Sequence, residues 1–249
     1  MSLIRFETTA ERGPSGKLWG NLVDWVKGTL KIDSGVADID DFAPLNEGNF
    51  VKSTDSGTAV SELAASFGVA SFTASAGTYA VAGYSRRFNV DLDNSRDVCR
   101  EVRCARTTGA TGTEQTLIGF SDQLTGAVFH SDGTLDGGSN EDTLGLLWNN
   151  DLTVDLVSVI DSATTVVLIE EVATAIAQGV GVYHKFGLRI KKISSTQFQI
   201  IASVDGVTKK VVTTSVSLAL MKPVVATVIS ATDAPVIDVD WDCTVDVAN

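Results

Sequence analysis

The chain has 249 residues, 44% apolar and 20% charged, an ordinary globular composition that excludes a disordered or collagenous polymer. At this size roughly 70% of the unfolded surface can be buried, so one large core needs no staples. With 31 acids against 19 bases the net charge is −12, which disfavours the phosphate contacts behind most nucleic-acid affinity. No window approaches the roughly 18 uninterrupted apolar residues of a membrane-spanning helix, and MSLIRFETTAERG has no apolar signal region. The expectation is a protein assembled in a cytoplasm, with neither nucleic acid nor membrane among its partners.

The first predicted element is SGKLWGNLVDWVKGTLKI, where Leu18, Leu22, Trp25 and Val26 have helix-compatible spacing behind a possible Ser15 cap, although Gly20 and Gly28 weaken a helix. It reads as an amphipathic arm. Apolar surface this large outside the periodic region suits docking on a neighbouring subunit through Leu18, Trp19, Leu22, Trp25 and Val26. Loop-like DSGVADIDDFAPLNEGN follows, and the small-residue run 58–82 suits strand or helix. The division is therefore an N-terminal arm and linker over residues 1–74 and a strand-rich domain, sandwich or barrel, over residues 75–249.

From about residue 75 the pattern is that of an all-β chain. Valine and threonine make up nearly a quarter of the sequence, and Gly, Ser and Asp punctuate short apolar runs. TYAVAG, YSRRFNV, RDVCREVRCA, TLIGFSD, TGAVFHS, TLGLLWNN, TVDLVSVI and TTVVLIEEV are strand candidates. KFGLRIKKI and TQFQIIASV follow, and Asp205-Gly206 then supplies a tight-turn dipeptide before VTKKVVTT. After KPVVATVIS, the closing VIDVDWDCTVDVA alternates strictly: Ile237, Val239, Trp241, Cys243, Val245 and Val247 on one face, Asp238, Asp240, Asp242, Thr244 and Asp246 on the other. It predicts a long strand with its apolar face buried and its acidic face solvated or turned to a partner. The expected core comprises Phe88, Val98, Val102, Phe186, Leu188, Ile190, Phe198, Ile200, Val239 and Trp241.

Cys99, Cys104 and Cys243 form no CxxC pair, and a spacing of five points Cys99 and Cys104 to opposite faces of a strand. They read as small apolar residues in a reducing compartment. Charge is banded: residues 107–183 hold 11 acids and no Lys or Arg, while Arg86 to Arg106 hold six arginines. Such bands form two solvated surfaces or meet within one subunit or between copies. Asp91, Asp93, Asn94 and Asp97, and separately Asp132, Asp136, Asn140, Glu141 and Asp142, gather hard oxygen ligands without an EF-hand pattern, and read as solvated turns. No cofactor is implied.

The order of segments from GLRIKKI through VDG and KPVVATVIS to the Asp-rich last strand resembles the C-terminal half of concanavalin A-like jelly rolls in structural proteins of tailed bacteriophages. YSRRFNVDLDNSRDVCREVRCA, EQTLIGFSDQ and LGLLWNND resemble the strands before it, so the likeness runs from Tyr79 to Asn249. It implies an antiparallel two-sheet jelly-roll sandwich with an N-terminal extension, and a non-enzymatic virion protein decorating or cementing a capsid. Its implied partners are copies of itself, guessed as a trimer, and the major capsid protein. Glucanases of this fold carry acids at E-x-D-x-E spacing, which Asp238, Asp240 and Asp242 share, but a retaining pair needs about 5–5.5 Å whereas i and i+4 on a strand lie about 13 Å apart. The alternative is a carbohydrate-binding module, or a tail or fibre protein contacting host glycans, for which Trp148 with Asn149 and Asn150 is the candidate sugar platform.

Overall fold

A computed structural model describes residues 35–40, 50–52, 59–62, 68–77, 79–91, 95–107, 114–123, 128–129, 133, 135, 142–160, 165–213, 220–229 and 234–248. The described elements are strands: β1 (Gly35–Asp40), β2 (Phe50–Lys52), β3 (Ala59–Glu62), β4 (Ala70–Thr73), β5 (Ala80–Arg86), β6 (Ser95–Arg106), β7 (Glu114–Ser121) and β8 (Thr143–Trp148). They continue through β9 (Val154–Val159), β10 (Val166–Ala173), β11 (His184–Lys192), β12 (Phe198–Val204), β13 (Val207–Thr213), β14 (Lys222–Ile229) and β15 (Val236–Ala248). An eight-stranded sheet runs β13-β12-β11-β6-β15-β4-β3, with β1 also on β15, and a seven-stranded sheet runs β10-β9-β8-β7-β14-β5-β2. All pairs are antiparallel. The expected two-sheet sandwich is what the chain forms.

Alternation along each strand gives the core. From the larger sheet Val98, Val102, Phe186, Leu188, Ile190, Phe198, Ile200 and Val239 point inward, and Ile118, Phe120, Leu144, Leu146, Trp148 and Leu156 meet them from the smaller sheet. Of the expected core, Phe88 is only half-buried, packed at the margin. The Val204–Val207 hairpin closes over Asp205 and Gly206 at φ 48° and 80°, the left-handed pair that matches strand twist.

The boundary at residue 74 does not hold, because β2 pairs β5, while β1 and β4 pair β15. Phe50 and Phe72 are 1% and 0% exposed; Phe72 stacks on Tyr84 at a centroid distance of 4.8 Å, and Phe50 packs tilted against it at 5.8 Å. The sandwich therefore includes strands from Gly35 onward. Leu18, Trp19, Leu22, Trp25 and Val26, the expected docking arm, lie outside the described residues.

The last strand departs from strict alternation. Val239 pairs Cys104 and Trp241 pairs Arg103, so Asp240 is an extra residue, a bulge that flips every later side chain. Ile237 and Val239 face the interior, but Trp241, Cys243 and Val245 face outward while Asp242 and Thr244 face in. Both sides are covered: Asp238, Asp240, Asp242 and Thr244 are all buried, so the acidic row is not a solvated face.

Candidate functional site

The interior holds charge that the sequence placed on surfaces. Arg100 reaches across the sandwich: its Nε and Nη2 donate to Asp242 at 3.3 and 3.0 Å, and its Nη1 donates to the carbonyls of Val224, at 2.7 Å, and Gly119. Tyr84 donates its hydroxyl to Asp242 at 2.8 Å. Burial alone would raise the Asp242 carboxyl, but Arg100 and Arg86 outweigh it and hold the group below the ordinary range. Burial, with Asp242's charge behind it, pushes Tyr84 well up. This ion pair is a cross-sheet tie, with no exposure for a ligand.

A second buried pair closes the Trp148 end. Arg106 lies 3.3 Å from Glu114, stacks 4.3 Å over the Trp148 ring and donates to the Trp148 carbonyl and Gln178. Burial pushes Glu114 up to about 7 against the opposing pull of Arg106. The arginine and acid bands thus meet inside one subunit here rather than forming two solvated faces. Trp148 itself is 0% exposed, with Arg106 on one face and Phe186 and His184 around it. It cannot serve as the sugar platform, because an apolar ring at this strand end completes the core. Asn149 is spent on Thr153 and Asp155, and Asn150 stands exposed in the turn beyond.

The two outer sides differ. On the seven-stranded sheet Val81, Leu117, Leu147, Val157, Val159, Val224 and Val228 make an apolar layer that Val128, Phe129 and Leu135 of the β7–β8 connection cover. Gly119 belongs to this side, and a Cβ there would lie 2.3 Å from the Leu144 carbonyl oxygen. That face is sealed.

On the eight-stranded sheet the outer side is covered over β6 and β15, where Cys99, Glu101, Cys243 and Val245 are buried, and becomes polar and exposed toward the β13 edge. Arg103 is paired with Asp240 and lies 4.6 Å over the half-buried Tyr183 ring, beside Asp238 and Ser71. Burial and the charges of Asp238 and Asp240 push Tyr183 up to about 12. Asp238, raised by burial, keeps a buried Oδ1 without a partner, as does the Trp241 indole N–H. Next, β11 presents Lys185, Arg189 and Lys191, β12 presents Gln199, Ile201 and Ser203, and β13 presents Thr208, Lys210 and Val212. The register aligns Arg189, Ile201 and Lys210 in one row, Lys191, Gln199 and Val212 in the next, and Gly187, Ser203 and Thr208 in a third. Ser203 is 0% exposed and its Oγ has no partner. Arg189 is tied to Asp97 through Nε and Nη2, at 3.0 and 2.7 Å.

The acid spacing expected in the last strand is broken: the bulge leaves Asp238 outside and turns Asp242 inside. Among the described residues no group of three or more His, Cys, Asp or Glu could hold a metal. Asp97 of the first group of oxygen ligands pairs Arg189, Asp142 of the second sits by Asp122, and Asp93, Asn94, Asp132, Asp136, Asn140 and Glu141 lie outside the described residues. Cys99 faces out and Cys104 in, as the spacing of five predicts, and the three thiols are buried and unbridged. Burial pushes the Cys99 and Cys104 thiols up, away from reactivity. Sequence reasoning missed the β11–β13 face, whose signal was the alternation of Lys185, Arg189 and Lys191 with Phe186, Leu188 and Ile190.

No family model matches this chain, and no curated protein matches it. Its fold is shared by solved structures. A protein of unknown function from Shewanella oneidensis MR-1 is 14% identical at TM-score 0.55, covering 91% of this chain and 93% of its own. The Emp47p carbohydrate recognition domain is 13% identical at TM-score 0.57, covering 84% and 94%. An alginate lyase, vAL-1 from Chlorella virus, is 10% identical at TM-score 0.53, covering 88% and 100%. The likeness shows a concanavalin A-like β-sandwich, the fold shared by this carbohydrate recognition domain and this lyase.

Proposed function

We propose that the chain is a non-catalytic carbohydrate-binding module whose ligand lies on the outer side of the eight-stranded sheet, over β11, β12 and β13. The observation that carries this is the contrast between the faces: one side is sealed by its own apolar layer, and the other presents Lys185, Arg189, Lys191, Gln199, Thr208 and Lys210 in aligned rows. Such side chains read hydroxyls and ring substituents by hydrogen bonds, and Tyr183 at the margin adds an aromatic surface. Similar folds in carbohydrate recognition domains agree with this at the level of architecture. A glycan array probed with the full chain tests it. Binding to defined glycans that Gln199→Ala weakens, with thermal stability unchanged, supports the reading; an array with no signal rejects it.

A second reading keeps the virion structural role, with capsid cementing through the chain's own copies and a major capsid protein. Exposed valines favour it: Val166 and Val167 on edge strand β10, and Val207 and Val212 on edge strand β13, are 46–60% exposed. Mass spectrometry of purified particles decides that reading, and absence of the chain from them sinks it.

A further inference from the structure

The open half of the eight-stranded sheet carries a charge opposite to that of the chain. Residues 184–213 hold Lys185, Arg189, Lys191, Lys192, Lys209 and Lys210 against a single carboxylate, Asp205, in a protein of net charge −12. Strand alternation puts Lys185, Arg189, Lys191 and Lys210 on the outer side. Lys209 turns toward β10, donating to the Glu170 carbonyl at 3.3 Å and to that of Glu171. With strands about 4.8 Å apart, the Arg189 and Lys210 backbones are about 10 Å apart across β12, and Lys191 lies about 7 Å along β11 from Arg189. Asp205 already serves His184, at 2.7 Å, and the Lys185 amide, at 2.8 Å. At the β6 margin of the strip Asp97 pairs Arg189 and stands opposite Lys191 in the ladder, and Glu101 stands opposite Gly187, so the charge left least offset lies toward Lys210 and the β13 edge. Between the cations the reachable polar groups are the half-buried Gln199 and the exposed Thr208, whereas Ser203, beside Gly187, is fully covered.

We propose that the glycan taken by this face is polyanionic, bearing carboxylate or sulfate groups that Lys185, Lys191 and Lys210 meet while Gln199 takes its hydroxyls. The inference rests on the carbohydrate reading and narrows its ligand class. Positive side chains on an acidic protein attract a thin anionic chain locally, whereas a nucleic-acid duplex laid here also meets exposed Glu170 and Glu171 of β10 at the same edge. A flexible polymer follows the three-stranded strip without crossing them.

The test titrates the full chain with polygalacturonate, dextran sulfate, neutral dextran and a short DNA duplex at low and moderate salt. The expected result is binding of one or both acidic glycans that weakens at least tenfold between about 50 and about 200 mM salt, as contacts between mobile charges are screened. Preference between polygalacturonate and dextran sulfate separates carboxylate from sulfate recognition. The pair Lys191→Glu with Lys210→Glu reduces affinity at least tenfold, while Lys191→Arg with Lys210→Arg retains it, at unchanged melting temperature. Equal binding of neutral dextran, indifferent to those charge reversals, overturns the inference and leaves the carbohydrate reading standing. Absence of binding to every glycan overturns both, and so does DNA binding as tight as that of the acidic glycans, because the strip is then a general polyanion surface.

Discussion

The two outer sides of this sandwich are built from the same strand geometry and end in opposite chemistry. On the seven-stranded sheet, Leu117, Leu147, Val157 and Val224 alternate with core residues, so both faces of each strand are apolar and the β7–β8 connection must return Val128, Phe129 and Leu135 to cover them. On β11 the outward positions are Lys185, Arg189 and Lys191, which need no cover. The difference teaches that a strand reading as a continuous apolar run announces a second layer above it, whereas the alternation of β11 leaves a polar outer face; β15 alternates too, but its bulge and its central place in the sheet bury both of its sides.

The largest effect expected comes from what joins the sheets rather than from either outer side. Arg100→Leu leaves Asp242 buried with only the Tyr84 hydroxyl and the charge of Arg86 to support it and removes the donors to the Gly119 and Val224 carbonyls, so urea denaturation should show a loss of about 3–5 kcal/mol. A loss under about 1 kcal/mol would mean the tie is replaceable by apolar packing.

Next is the seal. Phe129 is 4% exposed, so Phe129→Ala should cost about 3 kcal/mol by the same assay and increase binding of an environment-sensitive hydrophobic dye. If stability is unchanged, the layer over the seven-stranded sheet is ornamental and that face is available after all.

Glu114 gives the third. Its folded value of about 7 lies above the ordinary 4.5, so the folded state holds a proton the unfolded chain has released. This stabilising contribution is full below about 4.5 and is lost as pH rises through about 7, a change on the order of 2 kcal/mol. Asp242, held low, acts oppositely, and its contribution is lost as pH falls below the ordinary carboxylate range. Denaturation measured from pH 4.5 to 7.5 should show declining stability that Glu114→Gln flattens; a slope surviving that substitution assigns the effect elsewhere.

Much of the fold was legible because it rests on local periodicity. Phe186, Leu188 and Ile190, the Asp205-Gly206 turn and the opposed Cys99 and Cys104 follow from period two and turn chemistry alone. What was not legible depends on partners distant in sequence. Nothing in VIDVDWDCTVDVA marks Asp240 as a bulge, since that depends on how β6 pairs with it, and one inserted residue moves Asp242 from the outside to the inside. The readable clue lay in β6, where Arg100 and Arg106 share inward parity with Val98, Val102 and Cys104: arginine at core positions requires buried carboxylates elsewhere in the chain. Trp148 misled for a related reason, because WNND resembles an exposed turn until Arg106 is found stacked on the ring.

The smallest effect concerns the open face. Lys191 and Lys210 lie on the outer side of β11 and β13, where neither fills the core, and removing a charged end there deletes no apolar packing. Lys191→Gln with Lys210→Gln should therefore shift the melting temperature by no more than about 2 °C, within the range of ordinary surface substitutions. Set beside Phe129→Ala, this pair measures the contrast between the two sides directly: the same kind of outward position is costly where a second layer sits on it and nearly neutral where none does. A drop as large as that of Phe129→Ala would mean that the basic rows are covered and tied within the protein, which removes the surface on which the glycan proposal stands.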